Sequence, residues 1–359
     1  MPPTARIGTL GCHLIAPDGF QVVMSVSQVH AACQRVRERL SNRIVGQEDV
    51  ITEILVALLA GGHVLLVGVP GLAKTMLVRA LSDALGLSFN RIQFTPDLMP
   101  ADITGTEVLH EDKLSGERQL RFLPGPVFAN LVLADEINRT PPKTQAALLE
   151  AMQEQQVTVG GLRHELPSPF FVLATQNPIE QEGTYPLPEA QADRFMLEIQ
   201  INYPSEAEEL EIARRPRGTN NASHEPVITG EELRELQSHI DEIPMAEHDV
   251  RYAMSLVRAT RKEDTSSEYV RRYVRWGAGP RATQFLVLAA KAHAAIKESN
   301  VATWSDIRAV LKPVLRHRLI LTFHAESDGI QPDDIIDTLL KEVPCPHEKD
   351  AAGIGQFFR

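Results

Sequence analysis

Cysteine is scarce in this chain. Only three occur, Cys12, Cys33 and Cys345. They are far apart and fit neither a disulfide framework nor a metal-ligand spacing, which favours a reducing compartment and predicts a cytoplasmic protein. No stretch of about 18 uninterrupted apolar residues is present, so no membrane-spanning helix is expected. The twelve histidines are scattered and no His-Glu-x-x-His occurs, which leaves a metal held by protein ligands alone with little support. Positive charge is also in short supply: 36 Lys and Arg stand against 47 Asp and Glu, a formal net charge of -11. That balance argues against nucleic acid or anionic lipid as a general partner. No repeat at solenoid spacing is found.

What remains is a chain of 359 residues, 43% apolar, long enough for two domains. Residues 1–24 are rich in Gly and Pro, lack the build of a signal peptide, and read as a poorly ordered tail. The polar stretch from Pro346 reads the same way. From Ser25 a helix is predicted, with Val29, Cys33, Val36 and Leu40 on one face. Ile44-Val45-Gly46-Gln47 breaks that pattern, and a second helix follows from about Asp49 to Ala60.

The organising stretch is Gly68-Val69-Pro70-Gly71-Leu72-Ala73-Lys74-Thr75. It follows a short buried strand, Val64 to Val67, and opens a helix whose Leu77, Val78, Leu81 and Leu85 share a face, with Gly86 as C-terminal cap. Strand, glycine loop, Lys-Thr and helix form the context of a phosphate-binding loop. Its backbone N–H groups and helix N-terminus face the phosphates, Lys74 reaches the β and γ phosphates, and the Thr75 hydroxyl can sit on Mg²⁺. Ala73 stands where the general pattern has glycine; as a helix-opening residue it is expected at negative φ.

Phe89 to Phe94 alternates as a second strand, and a long segment from Thr95 to Asn130 follows, with a polar tip at residues 113–117 flanked by residues that can pair as a hairpin. Leu131 to Glu136 is an apolar strand ending in Asp135 and Glu136. In a nucleotide-binding α/β domain such strand ends face the phosphate loop, so Asp135 is a candidate for Mg²⁺ and Glu136 for the general base that polarises water. Thr140-Pro141 is read as the start of the next helix, and 156–166 around Gly160-Gly161 as a projecting hairpin. The strand Phe170 to Thr175 leads to Asn177, which either orients the lytic water or simply forms an Asn-Pro turn. Before the last strand, Met196 to Ile201, stands Arg194. It is either an ion-pair partner of Asp193 or Glu189, or an arginine aimed at phosphate.

Near Ser205 the pattern turns helical, with capping boxes at Ser205/Glu208 and Thr229/Glu232. Residues 205–345 are therefore read as an all-helical second domain after an α/β domain at 25–204. Arg281 opens a helix where the dipole does not favour a cation, which suggests an anionic partner. Arg271 to Trp276 mixes bases with aromatics as single-strand binders do; the competing reading is a helix with aromatics inward and arginines solvated.

GVPGLAKT (Gly68 to Thr75), LVLADEINR (Leu131 to Arg139), ALLEAMQE (Ala147 to Glu154), ATQNP (Ala174 to Pro178), LPEAQADRF (Leu187 to Phe195) and GPRAT (Gly279 to Thr283) occur in that order. On these stretches the chain resembles the MoxR family of AAA+ ATPases from about Val26 to Val343. The resemblance implies a central parallel five-stranded sheet flanked by helices and followed by a smaller helical lid. It implies ATP and Mg²⁺ as cofactors, with Gly68 through Met76 as the nucleotide-binding loop and helix start, and Val45, Gly46 and Gln47 beside the adenine. Asp135 and Glu136 become the Walker B pair, Asn177 sensor 1, Arg194 the arginine finger supplied to a neighbour, and Arg281 sensor 2. It further implies a hexameric ring of this chain, pore-lining roles for the insert at 95–130 and the hairpin at 156–166, and chaperone-like remodelling of a client protein. A partner with a von Willebrand factor A domain comes from the family alone. The competing functions are a nucleotide-dependent scaffold with slow hydrolysis, a nucleic-acid motor and a magnesium-chelatase-type motor subunit.

Overall fold

The computed structural model describes residues 25–111, 118–179, 183–215 and 225–346. The tails expected at 1–24 and beyond Pro346, and the tip expected at 113–117, lie outside the described residues. The first half runs α1 (Val26–Ser41), α2 (Glu48–Leu59), β1 (Val64–Val67), α3 (Lys74–Leu85), β2 (Phe89–Gln93), α4 (Pro100–Thr104), β3 (Gly105–Glu111) and β4 (Arg118–Pro124). It continues through β5 (Leu131–Asp135), α5 (Pro142–Glu154), β6 (Gln156–Val159), β7 (Leu162–Glu165), β8 (Phe171–Gln176), α6 (Glu189–Ala192) and β9 (Leu197–Gln200).

Five of these strands form one parallel sheet in the order β2-β5-β8-β1-β9. Because successive strand residues point to opposite faces, the near-continuous apolar runs feed two cores at once. Leu66, Leu133, Leu173 and Ile199 join α1, α2 and α3 on one side. Leu65, Val132, Ala134 and Val172 join Leu148, Leu149 and Met152 of α5 on the other. The face predicted for α1 is buried, as are Leu77, Val78, Leu81 and Leu85 of α3. Gly86 caps α3 at φ 58, a left-handed conformation that glycine adopts without strain.

The insert and the hairpin pack together. β3 and β4 pair antiparallel, as do β6 and β7 around Gly160 and Gly161, both at positive φ. Phe122 of β4 stacks on His164 of β7, ring centroids 3.8 Å apart and planes 17° from parallel.

The helical part comprises α7 (Glu206–Arg214), α8 (Gly230–Glu242), α9 (Glu247–Ala259), α10 (Glu268–Tyr273), β10 (Val274–Trp276), α11 (Pro280–Ile296), α12 (Trp304–Leu315), β11 (Ile320–Leu321), α13 (Phe323–Ser327) and α14 (Pro332–Glu342). Both capping boxes form: Ser205 N–H donates to Glu208 Oε2 at 2.7 Å, and Thr229 N–H to Glu232 Oε2 at 2.6 Å. The alanine-rich α11 packs closely on α12, α9 and α1, joining the helical part to the sheet's core.

Four local readings change. Ala73 lies at φ 55, ψ 21, left-handed rather than at negative φ, because the loop turns back on itself just before α3 begins at Lys74. Thr140 is not the cap of α5: it ends the 3-10 turn Ile137–Arg139, and Pro141 precedes the helix. Among the described residues the helical part holds one antiparallel ribbon, β10 with β11, too short to leave a period-two signal. In the Arg271 to Trp276 run, Tyr273 packs inward while Trp276 is 64% exposed, because the chain leaves the helix after Tyr273. Arg271 donates to the Thr265 carbonyl and Arg272 pairs with Asp328, so two of its bases already have partners.

Candidate functional site

The parallel sheet brings the expected site residues to one edge. Leu66 pairs with Thr175 and Val67 with Gln176, while Gln93 pairs with Asp135. The carboxyl ends of β1, β2, β5 and β8 therefore coincide, and the loop Gly68 to Ala73 leaves β1 directly over them. Thr175 ties them together: its Oγ1 donates to Asp135 Oδ1 at 2.7 Å and accepts the Glu136 N–H at 2.8 Å.

Lys74 Nζ donates to the Gly68 carbonyl and, at 3.4 Å, to the Gln176 carbonyl. Partial burial lowers its pKa, and the nearby carboxylates of Asp135 and Glu136 pull the other way. A lysine beside two acids and two carbonyls at a loop mouth could hold an anion, and the two acids would supply ligands for an accompanying cation. Asp135 Oδ2 meets Arg91 Nη2 at 2.6 Å and Nε at 3.0 Å. Glu136 turns into the left-handed region at φ 57, and its Oε2 accepts from Gln93 Nε2 at 2.7 Å and pairs with Arg139 Nη1 at 3.0 Å. Asn177 is buried beside Gln176, its Oδ1 accepting the Ile179 N–H at 3.2 Å.

The loop residues fit a triphosphate with Mg²⁺. Gly71 lies at φ 86 with open space where a Cβ would stand, so backbone can approach a ligand there. Pro70 and Gly71 are exposed, Leu72 packs back on the core, and Thr75 and the exposed Met76 lie in the first turn of α3. Val45 and Gly46 line a cavity of about 420 Å³ with residues of α1 and α2 and with Glu211 and Arg215, and Gln47 stands between two of its lining residues without lining it. Gln47 is left-handed at φ 59, and its Oε1 is buried without a hydrogen-bond partner among the described residues.

Two arginines stand apart from this group. Arg281 Nη1 reaches Asp193 Oδ2 at 3.1 Å, which supplies the anionic partner its helix-start position called for. Arg194 pairs with neither Asp193 nor Glu189; Asp193 is taken by Arg281 and Arg318. Instead Arg194 lines an open groove of about 450 Å³ with Glu150, Glu154, Gln156 and Arg163, and the groove includes no phosphate-loop residue. Sequence reasoning missed Arg91, Gln93, Thr175 and Arg318. Gln93 and Thr175 carried one usable signal, a polar residue at the carboxyl end of a strand.

Residues 63–197 match the ATPase family associated with various cellular activities (AAA), and residues 266–339 match the AAA lid domain. Chaperone MoxR1 of Mycobacterium tuberculosis is 44% identical over 93% of this chain and 87% of its own length. Protein MoxR of Paracoccus denitrificans is 30% identical over 90% of this chain and 98% of its own. This chain belongs to the MoxR family of AAA+ ATPases. Uncharacterized protein YeaC of Bacillus subtilis is similar at 41% identity over 90% of this chain and 98% of its own. A crystal structure of a candidate ATPase from Cytophaga hutchinsonii superposes with a TM-score of 0.80 at 40% identity, covering 89% of this chain and 96% of that one. The five-stranded sheet and the helices after it are thus the AAA core and lid of a MoxR-family chain. Among the described residues no helix is long and apolar enough to cross a membrane.

Proposed function

We propose that this chain hydrolyses Mg-ATP as a cytoplasmic homo-oligomeric ring, a hexamer, and uses the cycle to remodel or activate a client protein together with a partner bearing a von Willebrand factor A domain. The observation that carries the reading is a division of labour. Lys74, Asp135, Glu136 and Asn177 gather at adjoining strand ends, whereas Arg194 stands in a separate open groove.

Lys74 holds the β and γ phosphates, Val45 to Gln47 flank the adenine, and Thr75 and Asp135 hold Mg²⁺. When bound, Mg²⁺ offsets charge on the phosphates. Glu136 takes the proton of the attacking water, which Asn177 orients, and Arg281 is the lid's contribution once released from Asp193. Arg194 completes the site of the next subunit, where a guanidinium is worth about 10³ to 10⁵ in rate. Hydrolysis then depends on assembly.

The test is specific activity against protein concentration. It rises with concentration in the parent, and Arg194→Ala binds ATP but hardly turns it over; a monomer at full activity sinks the reading. For the partner, Glu136→Gln held with ATP captures a von Willebrand factor A protein that Lys74→Ala does not, while captured nucleic acid overturns the reading. A second reading, a scaffold with slow hydrolysis, is favoured by the ion pair of Glu136 with Arg139, which occupies the carboxylate with a cation of the same chain. Basal turnover that stays slow and ignores the captured protein decides for it.

A further inference from the structure

Arg318 reaches from the lid into the stretch of backbone that carries Arg194. It ends the 3-10 turn Arg316–Arg318 after α12, and its side chain is 2% exposed. Its Nε donates to Asp193 Oδ1 at 2.8 Å; Nη1 donates to the carbonyls of Met196, at 3.1 Å, and Val314; Nη2 donates to the carbonyls of Asp193, at 3.1 Å, and Phe195, at 2.5 Å. A guanidinium has five N–H donors in a fixed fork, and here every one is used. The Phe285 ring lies 5.2 Å from the guanidinium carbon. Beside it, His317 Nε2 also donates to the Phe195 carbonyl, at 3.0 Å. Burial pushes the Arg318 pKa down to about 10 against the pull of Asp193, so it stays charged at neutral pH.

Four of these five bonds have a common object, the backbone on both sides of Arg194: the carbonyls of residues 193, 195 and 196 and the carboxylate of residue 193; the fifth goes to Val314 in α12. Arg194 itself lies in the groove with Arg163, Glu150 and Glu154, and its backbone N–H is bound to the Gln191 carbonyl at 3.2 Å. A long side chain aimed at a neighbouring subunit is only as well placed as the backbone it leaves from.

We propose that Arg318 is the positioning residue for Arg194, so that each subunit's lid fixes the arginine which that subunit offers to its neighbour's nucleotide. The inference rests on the reading of Arg194 as acting in trans. Lysine cannot replace Arg318 here, since one ammonium cannot match acceptors laid out for a planar fork. Arg318 touches no nucleotide in this scheme. Its loss leaves the phosphate loop, Asp135 and Glu136 of the same chain intact.

The test is complementation between full-length variants. Arg318→Lys alone binds ATP within about twofold of the parent, while kcat falls about 10- to 100-fold, as a misplacement near 1 Å does. Glu136→Gln alone is inactive but has an intact Arg194 and Arg318. Mixed in equal amounts, the two regain turnover well above their sum, because Glu136→Gln subunits supply a placed arginine to the intact sites of Arg318→Lys subunits. Arg194→Ala mixed with Glu136→Gln is the reference. If that reference complements and Arg318→Lys does not, Arg318 acts on its own subunit's site and the proposal is overturned. If the reference fails as well, the trans reading falls and takes the proposal with it. Should Arg318→Lys fail to bind ATP, Asp193→Asn, which keeps the guanidinium and all the carbonyls, is put through the same mixing, with the same outcomes deciding.

Discussion

Gln93 Nε2 donates to Glu136 Oε2 at 2.7 Å, so the proposed general base is held from the strand next to its own. Arg139 meets the same oxygen at 3.0 Å. A hydrogen bond to a charged group is worth about 1.5–3 kcal/mol, and positioning here is what the bond supplies. Gln93→Ala therefore lowers kcat roughly 10- to 100-fold with the ATP dissociation constant unchanged. Steady-state kinetics beside a binding titration check the split; a change confined to affinity refutes it.

Lys74→Ala and Glu136→Gln separate binding from chemistry. Lys74 is the cation at the loop mouth, and its removal abolishes measurable ATP binding. Glu136→Gln keeps the shape and the Gln93 contact but cannot accept a proton; it retains ATP and loses turnover by at least about 100-fold. Equilibrium binding of labelled ATP and phosphate release read the two separately. Continued hydrolysis by Glu136→Gln means that another group is the base.

Arg91 sits on the carboxylate proposed for Mg²⁺, bonding Asp135 Oδ2 through two nitrogens. A cation there competes with the metal. Its side chain is 48% exposed, so the competition is screened and modest. Arg91→Ala lowers the Mg²⁺ concentration for half-maximal hydrolysis by roughly two- to fivefold, the range of an exposed ion pair. A Mg²⁺ titration with ATP held saturating gives the answer, and an unchanged or higher midpoint rejects it.

Glu53 gives stability a pH dependence. Burial raises its pKa from 4.5 to about 7, with Arg316 opposing and Asp49 and Asp333 adding to the rise. The folded state therefore holds this proton where the unfolded chain has lost it. Its contribution is full below about 4.5 and is lost as pH climbs through about 7. His63 runs the other way: burial lowers it from 6.5 to about 4, so it costs stability as pH falls through that interval. The readout is accordingly the difference between Glu53→Gln and the parent in thermal melts. The variant gains on the parent as pH rises from about 4.5 to about 7, and a constant difference refutes the assignment.

Much of this was legible because it is local. Val64 to Val67 announced a strand by its apolar run, Leu77 to Leu85 a helix by its period, and Ser205 and Thr229 helix starts by a glutamate three residues on. Ala73 was misread because alanine carries no turn signal; closure of the loop between β1 and α3 sets its φ. The pairing of Asp193 was hidden for a different reason. Its neighbour Arg194 looked like a partner, yet the carboxylate is claimed by Arg318, 125 residues away, and by Arg281, 88 away. Side-chain bonds such as Gln93 to Glu136 exist only once β2 lies beside β5. The sheet order that places them there has no local code.

The stack of Phe122 on His164 makes one body out of two projections. If each ribbon moved freely, the proposed client would meet two soft fingers per subunit. Joined ring to ring, β4 and β7 are tied at this point, so a displacement of one ribbon is shared by the other, and in the proposed ring the pair would act as a single stiffer prong.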